Sequence, residues 1–159
     1  MKKLAIIGLL VVALTMVNAG VVVSAPSLHK VSGGGTNVGY DGAIRTVAFT
    51  AIQINEAGAA KGQLEVFNRA QEVKLHCSIL YLKVEGNQAW LGGVITRSSN
   101  PISRPVGWEF VLMVRDNGEV ANETVDSSSY VSFGYSASYA LRKPSLDMYD
   151  WPNGNIQVK

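Results

Sequence analysis

Cysteine is almost missing: Cys77 is the only one in 159 residues, so no disulfide can form within the chain. Histidine is nearly as scarce, with His29 and His76 alone, which leaves few groups that titrate near neutral pH. One cysteine and two distant histidines have no spacing that would hold zinc. His76 and Cys77 are neighbours in a β-like run, where adjacent side chains point to opposite faces, so a Cys-His catalytic pair is disfavoured. Cys77 instead reads as a buried, inert thiol. Catalysis would have to rest on carboxylates with strongly shifted pKa values. Proline is sparse as well, at 5 residues against 16 glycines, a balance that points to many turns rather than to disorder. Beyond the first two dozen residues no stretch keeps a helical apolar period.

The one long apolar run stands at the start. Met1-Lys2-Lys3 is a short positive segment, Leu4 to Val17 is almost unbroken apolar sequence, and Val17-Asn18-Ala19 offers a cleavage site. That pattern predicts a secretory signal over 1–19, removed on export, and a single domain over 20–159. A cut after Ala25 is disfavoured by Pro26 behind it. The apolar run is shorter than the ~20 residues a bilayer span needs, and no cysteine closely follows it to carry a lipid. The expected location is therefore secreted, extracellular or periplasmic, with no stable membrane insertion. Lys2 and Lys3 account for the whole formal net charge of +2, so the expected mature chain carries twelve charges of each sign. Its longest basic cluster is Arg142-Lys143, and nucleic acid and anionic lipid both lose support as partners.

Alternation of period two recurs through the rest. Ile44, Thr46, Ala48, Thr50 and Ile52 share one face of a predicted strand, with Val47, Phe49 and Ala51 on the other. Leu64 and Val66 oppose Gln63, Glu65 and Phe67. Val73 to Val84 is long enough for a strand with a bulge near Cys77, and Val84 to Gln88 turns into a strand over Ala89 to Thr96. Trp108, Phe110, Leu112 and Val114 form a predicted core face, with Glu109, Val111, Met113 and Arg115 facing away. Asp116-Asn117-Gly118 then signals a hairpin. Arg97 to Pro105 and Arg142 to Ser145 read as irregular connections. Ser129 to Tyr139 reads as one or two short strands broken at Gly134, and Gly154 to Val158 as a terminal strand. Such strands predict an all-β, antiparallel fold of about eight strands, as a meandering barrel or, alternatively, a β-sandwich.

Chemistry-bearing motifs are few. Gly33-Gly34-Gly35 lacks the Lys-Ser/Thr of a phosphate loop and reads as a flexible turn or bulge. Asp116, Glu119, Glu123 and Asp126 put oxygen ligands in one region, but their spacing matches no EF-hand, leaving a calcium site or a plain turn with solvated acids. Asn122-Glu123-Thr124 fits a glycosylation acceptor. The aromatic group near the end offers more: Tyr135, Tyr139, Tyr149 and Trp151 form the candidate binding surface, because exposed rings stack on sugars or anchor partners. Tyr149 and Trp151, beside Pro152, read as loop residues.

Val31 to Thr36, Phe49-Thr50-Ala51, Lys61 to Leu64, Val84 to Ala89, Gly92-Gly93-Val94, Val114 to Glu119 and Gly154 to Val158 together resemble a pattern in uncharacterised exported bacterial proteins. This is the post-COAP-like group of small β domains. The resemblance implies a β fold and an exported location, and it implies no reaction and no cofactor. The leading expectation is a non-enzymatic binding or cell-envelope interaction module, with a glycan or envelope component as partner. A barrel carrying a small apolar ligand in space left by Ala48, Ala89 and Gly93 is the alternative. A hydrolase using acids is the third.

Overall fold

The computed structural model describes residues 28–39, 41–118 and 125–159. The predicted signal over 1–19, the Asn122 acceptor, Glu119 and Glu123 lie outside them. Among the described residues ten antiparallel strands form one sheet: β1 (Lys30–Val38), β2 (Ile44–Gln53), β3 (Ala59–Asn68), β4 (Val73–Glu85), β5 (Gln88–Ser98), β6 (Glu109–Arg115), β7 (Ser127–Ser129), β8 (Ser132–Phe133), β9 (Met148–Asp150) and β10 (Asn153–Val158). The order β10-β1-β2-β3-β4-β5-β6-β7-β9 is a meander whose last strand folds back beside the first, and β8 adds to β6. The sheet curls into a half-barrel. The all-β, antiparallel meander is as expected, with ten strands in place of about eight.

The alternation in β2 and β3 becomes burial directly. Val47, Phe49, Ala51, Leu64 and Val66 turn inward to one core with Leu75, Cys77, Ile79, Leu91, Phe110, Leu112 and Val114. The inward phase of β4 is kept through the register shift between His76 and Cys77, where β5 carries the extra residue Thr96, and slips by one at the shift between Ile79 and Tyr81, so that Leu82 rather than Tyr81 turns inward. The bulge expected in this strand near Cys77 thus lies a little further on, at Leu80, and such bulges sharpen the curl.

Four expectations are corrected. Gly33-Gly34-Gly35 is no turn; it runs through the middle of β1, paired with β2 on one side and β10 on the other. Side chains are absent there because aromatic rings take their space. A Cβ on Gly33 would lie 2.8 Å from Phe49 Cζ, and one on Gly35 would lie 2.6 Å from Trp151 Cε3. Trp108, predicted in the core, precedes β6 and is 45% exposed, its ring 6.5 Å from that of Phe133. Phe110, Leu112 and Val114 do face the core.

Val111 and Met113, predicted to face away, are buried on the outer side by a second layer. There a 3₁₀ helix, Ala137–Arg142, and the segment after it pack Ala140, Tyr139, Leu146 and Met148 against Trp90, Val111 and Met113. Gly92 lets this layer approach, since a Cβ there would meet the Ala137 carbonyl. Glu109 accepts the Ala137 N–H at 2.8 Å, Pro144 O accepts from Trp90 Nε1 at 2.9 Å, and Lys143 pairs with Glu85 at 2.7 Å. Lastly, Asp116-Asn117-Gly118 opens not a tight hairpin but the longer connection from β6 to β7, which still pair antiparallel through Val114 and Ser128.

Candidate functional site

The four aromatics proposed as one binding surface do not come together. Trp151 is buried at 1% exposure, edge-on to Phe49 with ring centroids 6.2 Å apart, and its Nε1 donates to Ser128 Oγ at 2.8 Å. Only Trp151 and Pro152 separate β9 from β10, which run in the same direction at opposite edges of the sheet, so the chain crosses from one edge to the other with Trp151 turned inward. Tyr149 lies in β9 and stacks on Tyr130 at 4.2 Å. Tyr135 and Tyr139 do form an outer-surface pair, nearly parallel at 5.2 Å, with the Arg142 guanidinium 5.9 Å from the Tyr139 ring.

A cavity of about 300 Å³ lies at the end of the half-barrel where β1 stops and β2 begins. Sheet register builds its wall in rows. Asn37, Arg45, Asn68 and Val73 are successive cross-strand partners across β1 to β4 and make the outer row. Val47, Val66 and Leu75 form the next row inward. Below them Phe49, Leu64 and Cys77 close the core. Ser129, Tyr130, Val131 and Phe133 complete the far wall, and Arg104 reaches in from the loop between β5 and β6. The result is an apolar floor under a polar rim. Its volume stands at the small end of the ~300–1,000 Å³ typical of small-molecule sites.

The rim is held in place. Arg45 grips Asp41 through both guanidinium nitrogens, at 3.1 and 2.6 Å, and lies 4.5 Å from the centre of the Tyr130 ring. The hydrogen bonds from Arg45 hold the Asp41 carboxyl below its ordinary value of 3.8. The Arg104 guanidinium sits 5.0 Å over the Phe133 ring. Asn37, 1% exposed, turns Nδ2 toward Ser128 Oγ at 3.4 Å, and its Oδ1 has no partner among the described residues. Buried acceptors are almost always satisfied, and a water or a ligand donor would satisfy this one.

Ala48, Ala89 and Gly93 do not shape this cavity: Ala48 faces outward, and Phe110 fills the space beside Gly93. The acids of the β6–β7 connection serve the backbone. Asp126 accepts from Asn117 N at 2.8 Å and Ile156 N at 2.5 Å, while Asp116 accepts from Gly118 N at 2.9 Å and Val158 N at 3.0 Å. Asp126 is 7% exposed, so it is not a solvated turn acid. Together the two carboxylates tie the outer edge of β10 to the β6–β7 connection.

His76 and Cys77 point apart. His76 Nδ1 lies 3.2 Å from Glu65 on the outer face, while Cys77 is in the core, where burial pushes its thiol up to about 12. Native protein at pH 8 is accordingly expected to resist a thiol reagent such as dithionitrobenzoate, and protein in guanidinium to react within seconds. Rapid labelling of the native state would contradict that placement. No protein-family model, curated protein or solved structure matches this chain. The functional reading therefore rests on a curled antiparallel sheet with a rimmed cavity at one end.

Proposed function

We propose that the protein is a non-enzymatic, exported binding module whose half-barrel takes a small, largely apolar ligand at its open end. The cavity carries this reading: Val47, Val66 and Leu75 supply a dry floor, and Arg45, Arg104, Tyr130 and Asn37 supply the few polar groups that orient a ligand. Chemistry at this site has less behind it. Among the described lining residues the one carboxylate, Asp41, is held ionised by Arg45, so it is a poor proton carrier at neutral pH. The two histidines line other surfaces.

Anilinonaphthalene sulfonate is a suitable probe, with rings for the floor and a sulfonate for the arginines. It is expected to bind native protein at one saturable site. Val131 is half-buried in the cavity wall, and Val131→Trp should fill the space, weaken the probe at least about tenfold and leave the melting temperature within about 2 °C. Absence of saturable binding, or binding indifferent to Val131→Trp, would remove the cavity as the site.

A second reading keeps the glycan or cell-envelope partner and moves it to Tyr135 and Tyr139. Their parallel stacking and the 47% exposure of Tyr135 favour it, since paired rings offer a flat face to a sugar. Pull-down on isolated cell-wall material separates the two readings: loss on Tyr135→Ala supports the tyrosine face, and loss on Val131→Trp supports the cavity.

A further inference from the structure

The polar groups that line the cavity are not equally free to meet a ligand. Arg45 spends its fork on Asp41 and on the Ala43 carbonyl at 3.1 Å, and its face on Tyr130. Asn68 Nδ2 donates to Gln71 Oε1 at 3.2 Å, while its Oδ1 accepts from Ala70 N at 3.1 Å. Ser129 Oγ accepts from Met113 N at 2.9 Å and donates to Tyr130 O at 2.8 Å. Arg104 differs. One of its N–H groups reaches Ser103 O at 2.7 Å, and the rest of the guanidinium meets neither a carboxylate nor another acceptor among the described residues. The side chain is nevertheless restrained. Its backbone N donates to Asn100 O at 2.9 Å, Pro105 follows it, and the guanidinium lies 5.0 Å over the Phe133 ring. Restraint of that kind, present before any ligand arrives, lowers the entropy lost on binding.

Charge at long range does not choose the ligand. Around the same end of the sheet Arg69, Lys74 and Arg97 stand against Glu65, Glu72 and Asp147, three of each sign, and none of them lines the cavity. Glu109 is taken by the Ala137 N–H. Selection therefore falls to contacts in the wall. There Asp41 and Arg45 cancel, which leaves Arg104 as the charged group of the lining without a counter-ion among the described residues. A planar guanidinium matches a carboxylate, whose two oxygens accept parallel hydrogen bonds in one plane.

We infer that the ligand of this cavity is a small monocarboxylate with an apolar body, and that Arg104 takes its carboxylate. The inference rests on the cavity reading above and adds to it the headgroup and the residue that selects it. The body packs on Phe133, Val131 and the floor of Val47, Val66 and Leu75. The carboxylate stays at the rim, where Arg104 is only half-buried and water still reaches the anion, so its full desolvation is avoided. Arg45, already paired, shapes the rim beside it.

Two probes of similar shape separate headgroup from body: 3-phenylpropionate, an anion at pH 7, and the neutral 3-phenylpropionamide. Amide chemical shifts of the full labelled protein give both affinities. The acid is expected to bind at least about fivefold more tightly than the amide, a modest ratio because water screens a half-buried pair. Arg104→Gln should bring the affinity of the acid down to that of the amide, with the melting temperature within about 2 °C. Arg97→Gln, which removes a cation outside the cavity, should leave the preference in place. Equal affinities for the two probes would overturn the inference, as would a preference that survives Arg104→Gln or falls as far with Arg97→Gln. In those cases binding that Val131→Trp still blocks would leave the cavity reading standing. Failure of both probes to bind, or binding indifferent to Val131→Trp, would remove the cavity reading and the inference with it.

Discussion

Trp151→Ala is expected to cost about 3–5 kcal/mol of unfolding free energy, the range for deleting a fully buried large aromatic. Trp151 is 1% exposed, and its removal opens space against Phe49 and against the bare backbone of Gly35. It also leaves Ser128 Oγ without its indole donor. Trp151→Phe should cost less than half as much, because it keeps most of the packing and loses mainly the hydrogen bond. Urea unfolding followed by far-ultraviolet circular dichroism checks this without relying on the tryptophan signal. A loss below about 1 kcal/mol for Trp151→Ala would mean that the ring lies at the surface.

Asp126→Ala is the other large effect, at about 2–4 kcal/mol. One carboxylate there satisfies Asn117 N and Ile156 N, and the Asp126 carbonyl also accepts from Trp151 N. Removing the side chain strands two N–H groups, one of them on β10, whose outer edge has no strand beside it among the described residues. Asp126→Asn keeps an acceptor and should cost less. Because Asp126 and Trp151 share this junction, their double variant should depart from additivity by at least about 0.5 kcal/mol. Hydrogen exchange provides an independent check: in Asp126→Ala the Ile156 amide should lose protection before the amides of β3 and β4 do. Retained protection at Ile156 would show that β10 holds its edge by other means.

Both residues show where sequence reasoning reached its limit. In β2, β3 and β6, alternation predicted the faces well, because period two survives wherever one side of a sheet is packed and the other is wet. Phe110, Leu112 and Val114 turn inward as expected, and Val47 with Phe49 and Leu64 with Val66 keep to one face as their alternation predicted, the inward one. Trp151 misled because Pro152 suggests a loop, yet the chain keeps its direction from β9 to β10 as it crosses between the sheet's edges, and the ring at the crossing turns into the core. The glycine triplet misled for a related reason. Its conformational freedom suggests a turn, whereas here the missing side chains make room for Phe49 and Trp151 across the sheet. Neither fact is local in sequence. The layer over Val111 and Met113 was hidden too, since one short 3₁₀ turn has too few residues to show a period.

The cavity left a trace that only topology makes readable. Arg45 and Asn68 share the inward phase of Val47 and Val66, so each is a polar residue on an apolar face at a strand end. Singly, such residues look like frayed strand ends. Once the meander is known, Asn37, Arg45 and Asn68 fall on one cross-strand row and become a rim. The apolar loop between β5 and β6 was read correctly as irregular, but composition does not tell which side chains of a loop find cover.

If ligands enter the open end of the half-barrel, titration of labelled protein with 3-phenylpropionate should move amide chemical shifts there. Saturable shifts are expected to centre on Val47, Val66, Leu75 and Phe133, with Asn37 among the residues that move and Gly92 unmoved. Shifts confined to Tyr135 through Arg142, with the cavity residues silent, would contradict this placement of the site.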